Sequence, residues 1–269
     1  MSAVHKLVEH PAPVSSDTAG NKAVGLRAQT ELLVDKDFSA LERYWGEDYI
    51  QHQPGLRNGL ADLKAFKTAN VPGATTEILL CLGDRDLVFF HQRVTGFMPV
   101  PLGFFDVYRI EDGRIVEHWD AFQPVEGANR SGRSFFDGQL EITDTGQTDA
   151  TRALALKCVN NVFILEQHDR IADYVDADLI QHTPDMSDGI AGLEQRFRES
   201  QWFTGALTYH AVRRIVAEGD FAAVCSEGAV DGDPHAFYDL FRVAAGRIVE
   251  HWSLRQQARP SQFHRNPRV

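Results

Sequence analysis

Apolar residues recur at helical spacing between Asn21 and Trp45, at Val24, Leu32, Leu33 and Leu41, and the polar stretch from Asp35 to Asp37 predicts a break between two helices. Residues 59–70, GLADLKAFKTAN, predict a third helix that Pro72 and Gly73 stop. The pattern then changes to short runs rich in β-branched and aromatic residues. These predict strands over 75–83, 86–96, 103–110 and 113–122, with Asp112 and Gly113 making the hairpin turn before the last.

The same succession then recurs. A helix is predicted from about Asp149 to His168 and another over 189–202, followed by strands over 206–217, 220–230, 235–243 and 246–254. The recurrence is visible in the letters themselves. YIQHQPGLRNGLADL at 49–63 matches LIQHTPDMSDGIAGL at 179–193, and DVYRIEDGRIVEHW at 106–119 matches DLFRVAAGRIVEHW at 239–252. The chain therefore reads as one duplicated domain: a tail over 1–21, a first domain over 22–125, a Gly-, Ser- and Asp-rich linker over 126–148, a second domain over 149–256 and a tail over 257–269. Phe135 and Phe136 suggest that part of the linker packs. Helices first and an antiparallel meander afterwards predict an α+β fold in each half, a curved sheet wrapped around helices on one face.

Composition narrows the class of partner. The chain has 269 residues, 43% hydrophobic and 24% charged, with a net charge of -11, so a packed soluble protein is expected and a nucleic-acid partner is not. Neither half shows a basic stripe. The three cysteines, Cys81, Cys158 and Cys225, form no CxxC pair and suit a reducing cytoplasm. No run of 18 apolar residues occurs, so no membrane partner is expected and the protein reads as cytoplasmic.

The residues Q-H-x-P, D-x-[YF]-R and G-R-I-V-E-H-W-D, in this order of elements, resemble the SnoaL-like branch of the nuclear transport factor 2 superfamily, over about 22–125 and 150–255. The resemblance implies two tandem cone-shaped domains. It is specific for the fold and not for the reaction, since this fold serves cyclases, isomerases, hydrolases and binding modules. By resemblance to ketosteroid isomerases, Asp106 in FFDVYRI would face the pocket, with Tyr108 two residues on. By resemblance to limonene epoxide hydrolases, His52 in IQHQP would be a polar pocket residue, and by resemblance to SnoaL-type cyclases Asp120 would be the acid-base group. The single-domain relatives also imply that the two halves pack as a covalent pseudo-dimer.

Strand alternation puts His118, Asp120 and Phe122 on one face and Glu117, Trp119 and Ala121 on the other. The resemblance turns the first face toward the cavity, where an imidazole beside a carboxylate makes a proton donor and acceptor usable near neutral pH. His91 is flanked by Phe89 and Phe90 and is either a pocket residue or a core histidine. His52 either functions or caps the turn before Pro54, and Asp106 either lines the pocket or pairs with Arg57 or Arg93. Trp119 and Trp252 read as core, and Glu117 and Glu250 as outward ion-pair residues. Phe89, Phe104, Phe105 and Phe122 are candidates for an apolar wall, and Tyr108 is a further substrate-binding candidate.

Several chemistries are set aside by the letters alone. No GxSxG elbow and no glycine-rich phosphate loop occurs, and no cofactor is expected. Four residues, His52, His91, His118 and Asp120, could ligate zinc, but no HxH or HxxxH spacing supports it and no metal is expected. Schiff-base chemistry needs a lysine inside the pocket, and Lys64 and Lys67 fall on a helix that looks amphipathic.

The expected function is a cofactor-independent lyase or isomerase acting on a small carbonyl compound. Asp120, aided by His118, would be the base, and Asp106 or His52 would donate a hydrogen bond to the enolate. The alternative is a non-catalytic module that binds a small ligand. The second half keeps His182, Asp239 and His251 but has Ser253 opposite Asp120 and Cys225 opposite His91, so one working site is expected, in the first half.

Overall fold

The computed structural model describes residues 17–202 and 207–269, and the side chains of 199–202 lie outside that description. Residues 1–16 of the tail predicted at the N-terminus, and Ala206 of the strand predicted over 206–217, also fall outside the described residues. Two compact units are present, each containing one five-stranded mixed sheet with helices, as in tandem nuclear transport factor 2-like domains.

In the first unit the order is α1 (Thr18–Gln29), α2 (Ala40–Tyr44), β1 (Trp45–Gln51), α3 (Leu60–Asn70), β2 (Thr75–Asp84), β3 (Leu87–Thr95), β4 (Leu102–Glu111) and β5 (Arg114–Pro124). The Asp17 carboxylate caps α1 by accepting from the Gly20 amide at 2.8 Å, satisfying a donor that the helix cannot. At its other end α1 continues into a π-turn, Thr30–Val34, which carries buried Leu32 and Leu33. Gly25 lets α1 approach the sheet, since an added Cβ would stand 3.0 Å from Val88 of β3. The predicted hairpin turn forms with Asp112 at φ 49° and Gly113 at φ 74°.

The strand order is β1-β5-β4-β3-β2, with β1 parallel to β5 and the other pairs antiparallel. Sequence pattern missed β1: it is short, and its burial alternates irregularly around a register shift between Trp45 and Ile50. The core of this unit gathers Leu32, Leu41, Trp45, Tyr49, Phe90, Tyr108 and Ile115 between helices and sheet. Each such side chain contributes about 1.5–3 kcal/mol by leaving water.

The second unit repeats the plan with α4 (Thr148–Cys158), β6 (Val175–Gln181), α5 (Gly189–Trp202), β7 (Leu207–Glu218), β8 (Phe221–Val230), β9 (Asp233–Ala244) and β10 (Arg247–Gln257). Its strand order, β6-β10-β9-β8-β7, is the same topology. The helix predicted over 149–168 is shorter, ending in a π-turn at Ile164.

Segments outside the sheets are integrated into the units. Residues 127–148, which read as linker, belong with β6–β10, where Phe135 is buried and the Trp252 indole donates to the Asp137 carbonyl at 3.1 Å. Residues 258–268, which read as tail, belong with β1–β5.

Gly138 is the tight point of the first segment. Its φ is +114°, and an added Cβ would lie 2.5 Å from the Trp252 ring and 2.7 Å from the Glu250 carboxylate. Gly138→Ala is expected to lower the stability of the second unit by about 1–3 kcal/mol, a loss that denaturant unfolding would measure.

Candidate active site

The antiparallel register of β4 and β5 sets the site. Asp106 stands opposite Asp120, Tyr108 opposite His118 and Phe104 opposite Phe122, so the alternation of both strands presents these six residues on one face. That face lines a cavity of about 250 Å³ with Thr76, Gln92 and Val94 from β2 and β3. The π-turn adds Leu33, and α3 adds Leu63, Phe66, Lys67 and Asn70. Phe104, Asp106, His118, Asp120 and Phe122 all line it, and the shared face of His118, Asp120 and Phe122 is the one that strand alternation predicts. Tyr108 belongs to the core and supports the His118 ring, with centroids 4.7 Å apart.

The polar groups divide into two pairs. His118 Nε2 lies 2.7 Å from Asp106 Oδ1, and the Gln92 amide donates to Asp106 Oδ2. Both Asp106 oxygens are therefore engaged within the site, one by the Gln92 amide and one by the His118 ring. Neither Arg57, which pairs with Asp62, nor Arg93, 4.0 Å from Glu77, is its partner. Asp120 is bound differently: Arg268 Nη1 donates to its Oδ1 at 2.7 Å and also to the His52 carbonyl at 3.2 Å. Asp120 Oδ2 makes no hydrogen bond among the described residues.

Burial opposes ionisation of Asp120, but the Arg268 guanidinium and His118 outweigh it and hold this carboxyl below its ordinary range. Lys67 moves the other way. Removal from water pushes its ammonium below the usual lysine range, against the pull of Asp106 and Asp120.

Besides Tyr108, four expected pocket residues, His52, His91, Phe89 and Phe105, do not line this cavity. His52 stacks on Trp119 with centroids 4.7 Å apart, its Nε2 is 2.8 Å from Glu117, and its Nδ1 meets the Pro267 carbonyl. The residue after β1 follows Trp119 and Glu117 to the face opposite Asp120. His91 and Phe89 alternate away from Gln92 and pack against Phe105 with centroids 5.1 Å distant in each case, also on that opposite face. Glu117 completes a chain of pairs by accepting from Arg109 at 2.9 Å. The second unit rebuilds this chain as His182–Glu250 at 2.9 Å and Arg242–Glu250 at 2.6 Å, with His182 stacked on Trp252. Its recurrence in both halves is what a structural brace would show.

The second unit also keeps the Asp106–His118 pair, as Asp239–His251 at 3.0 Å. There, however, Gln181 Nε2 engages His251 Nδ1 at 3.0 Å, and aromatic side chains stand at positions that line the first cavity. Leu33, Lys67 and Thr76 of the first cavity correspond to Phe163, Phe197 and Tyr209 in the repeat. Phe163 sits 5.3 Å from Phe197 and 5.2 Å from Tyr209, edge to face, and the Tyr209 hydroxyl donates to Asp239 at 3.2 Å. Thr76→Tyr should therefore plug the first cavity. Ligand-induced thermal shifts are expected to vanish while the melting temperature itself moves by no more than about 4 °C, the scale of ~1 kcal/mol.

Asp106, His118 and Asp120 offer one ligand atom each within 4.8 Å of one another, a spacing that could hold a divalent cation. Arg268 already brings a positive charge to Asp120 there.

Sequence reasoning missed Arg268, Gln92 and Lys67. Arg268 carries no local signal, because its partner is 148 positions away. Lys67 did carry one: Leu63, Phe66, Lys67 and Asn70 follow the spacing of a single helix face, so a lysine shares its face with Leu63 and Phe66.

Residues 26–118 match the family model of the SnoaL-like domain, about a third of the chain and within the first unit. Among solved structures, the chain is similar to a proposed ketosteroid isomerase from Kribbella flavida DSM 17836, at 21% identity and a TM-score of 0.36, covering 46% of this chain and 92% of the other. It is also similar to a proposed SnoaL-like polyketide cyclase from Jannaschia sp. CCS1, at 16% identity and a TM-score of 0.35, covering 43% and 91%. A third similar structure, TsrD from Streptomyces laurentii, has 16% identity and a TM-score of 0.36, covering 40% and 90%. No curated protein matches the chain. No helix among the described residues is long and apolar enough to cross a membrane.

Proposed function

We propose that the first domain is a cofactor-independent lyase or isomerase that moves a proton at carbon next to a carbonyl group, and that the second domain has lost this chemistry. The observation that carries the reading is Asp120: a buried carboxylate in a largely apolar cavity, ionised, with one oxygen clamped by Arg268 and the other unengaged. In an apolar surrounding such an oxygen is poorly solvated, which is what a general base at carbon needs. The SnoaL-like domain match and the names of the similar structures, isomerase and cyclase, support the same class of chemistry.

Each residue then has a task. Asp120 takes the proton. The Asp106–His118 pair, oriented by Gln92, provides a fixed dipole and a mobile proton beside it. Phe104 and Phe122, stacked at 4.8 Å, form the apolar wall. A cavity of about 250 Å³ suits a small substrate.

Solvent deuterium exchange tests this. Uptake at the acidic C–H of ketones, catalysed by the protein and dependent on Asp120, is expected. Thermal shifts with the same ketones but no exchange would show a binding module instead.

A further inference from the structure

The helix face that closes the cavity brings a lysine in beside Leu63, Phe66 and Asn70. Lys67 lines the cavity opposite the carboxylates on β4 and β5 and makes no hydrogen bond or ion pair among the described residues. Its neighbour on the helix, Lys64, points to solvent and pairs with Glu42 at 2.6 Å, and Lys36 donates to the Pro72 carbonyl at 2.9 Å. In the repeat the same position is Phe197, packed edge to face against Phe163. An amine at the wall of such a cavity is within reach of a bound carbonyl group, and removal from water makes its ammonium easier to deprotonate, against the pull of Asp106 and Asp120.

We propose that Lys67 forms a Schiff base with the aldehyde or ketone group of a small substrate in this cavity. The neutral amine adds to the carbonyl carbon and the C–O π electrons go to oxygen. Proton transfer from nitrogen to oxygen gives a carbinolamine. Loss of one water, with a proton supplied to the leaving oxygen, gives a protonated C=N bond. Asp120 then takes the α-proton, the C–H pair forms a C=C bond and the C=N π pair returns to nitrogen as an enamine. Reprotonation at carbon and addition of one water release the carbonyl product and the free amine, with no net oxidation.

This chemistry resolves a mismatch in the site. Arg268 makes Asp120 a weak base by holding its carboxyl below the ordinary range, and a weak base needs an acidified carbon. A protonated imine is a far stronger electron sink than the carbonyl from which it forms. The inference builds on the proton-transfer reading of the same cavity, but the two fail separately in the experiment that follows.

The whole protein is incubated with acetone or cyclohexanone and sodium cyanoborohydride, and reductive alkylation is mapped by peptide mass spectrometry. Alkylation at Lys67 at least about tenfold faster than at Lys64 and Lys36 is expected, and Asp120→Asn should still be labelled. Lys67→Arg keeps the positive charge but cannot form the imine, so ketone deuterium exchange should fall by about tenfold or more. Labelling of Lys67 no faster than of Lys64, or full exchange in Lys67→Arg, overturns the Schiff base while leaving Asp120 as base. Rapid labelling of Lys67 without any exchange keeps the Schiff base and removes the proton-transfer reading.

Discussion

Asp120→Asn is expected to lower the rate of ketone deuterium exchange by on the order of a hundredfold or more, the usual contribution of a general base. The amide keeps the shape of the carboxylate and can still meet Arg268, so the loss reports chemistry rather than packing. Ser253→Ala, at the corresponding position in the second unit, should leave the rate unchanged, because a serine hydroxyl is far too weak a base near neutral pH to replace a carboxylate. Rates measured for both variants decide the matter. Equal losses, or activity that survives Asp120→Asn, would put the chemistry elsewhere.

Arg268→Met should be the most destabilising single change at the site. Both side chains of the Arg268–Asp120 pair are buried, at 3% and 8% exposure, and removing one partner of such a pair typically costs about 3–5 kcal/mol. The sign with pH follows from the direction of the shift. With Arg268 present, the folded-state Asp120 titrates below its unfolded value, so its contribution is fully present above the unfolded value of about 3.9 and is lost as pH falls through the folded one. Without Arg268, the burial that raises the carboxyl pKa meets less opposition. The variant should therefore be most destabilised near neutral pH and recover relative to wild type in acid, as denaturant unfolding between pH 4 and 7 would record. Adding Asp120→Asn to Arg268→Met should restore part of the loss, since no buried charge is then left alone. A stability deficit that is flat with pH would mean that Arg268 acts through packing and its hydrogen bond to the His52 carbonyl.

The repeat GRIVEHW, the Asp112–Gly113 turn and the strict alternation of β5 are local properties, and they were sufficient to place the duplication, the meander and the shared face of His118, Asp120 and Phe122. Alternation says which side chains share a face and nothing about which way the face turns. His52, at the end of a strand that pattern did not reveal, and His91, flanked by phenylalanines, could not be assigned to a side until β1 paired with β5 and β3 with β4. Asp106 could be recognised as a costly buried acid, yet its partners Gln92 and His118 depend on cross-strand register. The Asp120 clamp required the tertiary structure altogether. A guanidinium from residue 268 reaches a carboxylate in the first domain because residues 258–268 fold with that unit, and no periodicity spans such a distance. The aromatic cluster of the second half was equally out of reach. Phe163, Phe197 and Tyr209 look like ordinary core residues in the sequence, and only the folded unit shows that they meet at the positions held by Leu33, Lys67 and Thr76 in the first cavity. Sequence encodes periods and turns through interactions a few residues long, whereas the depth of a cavity and the charge inside it are sums over side chains brought together only by the closed sheet.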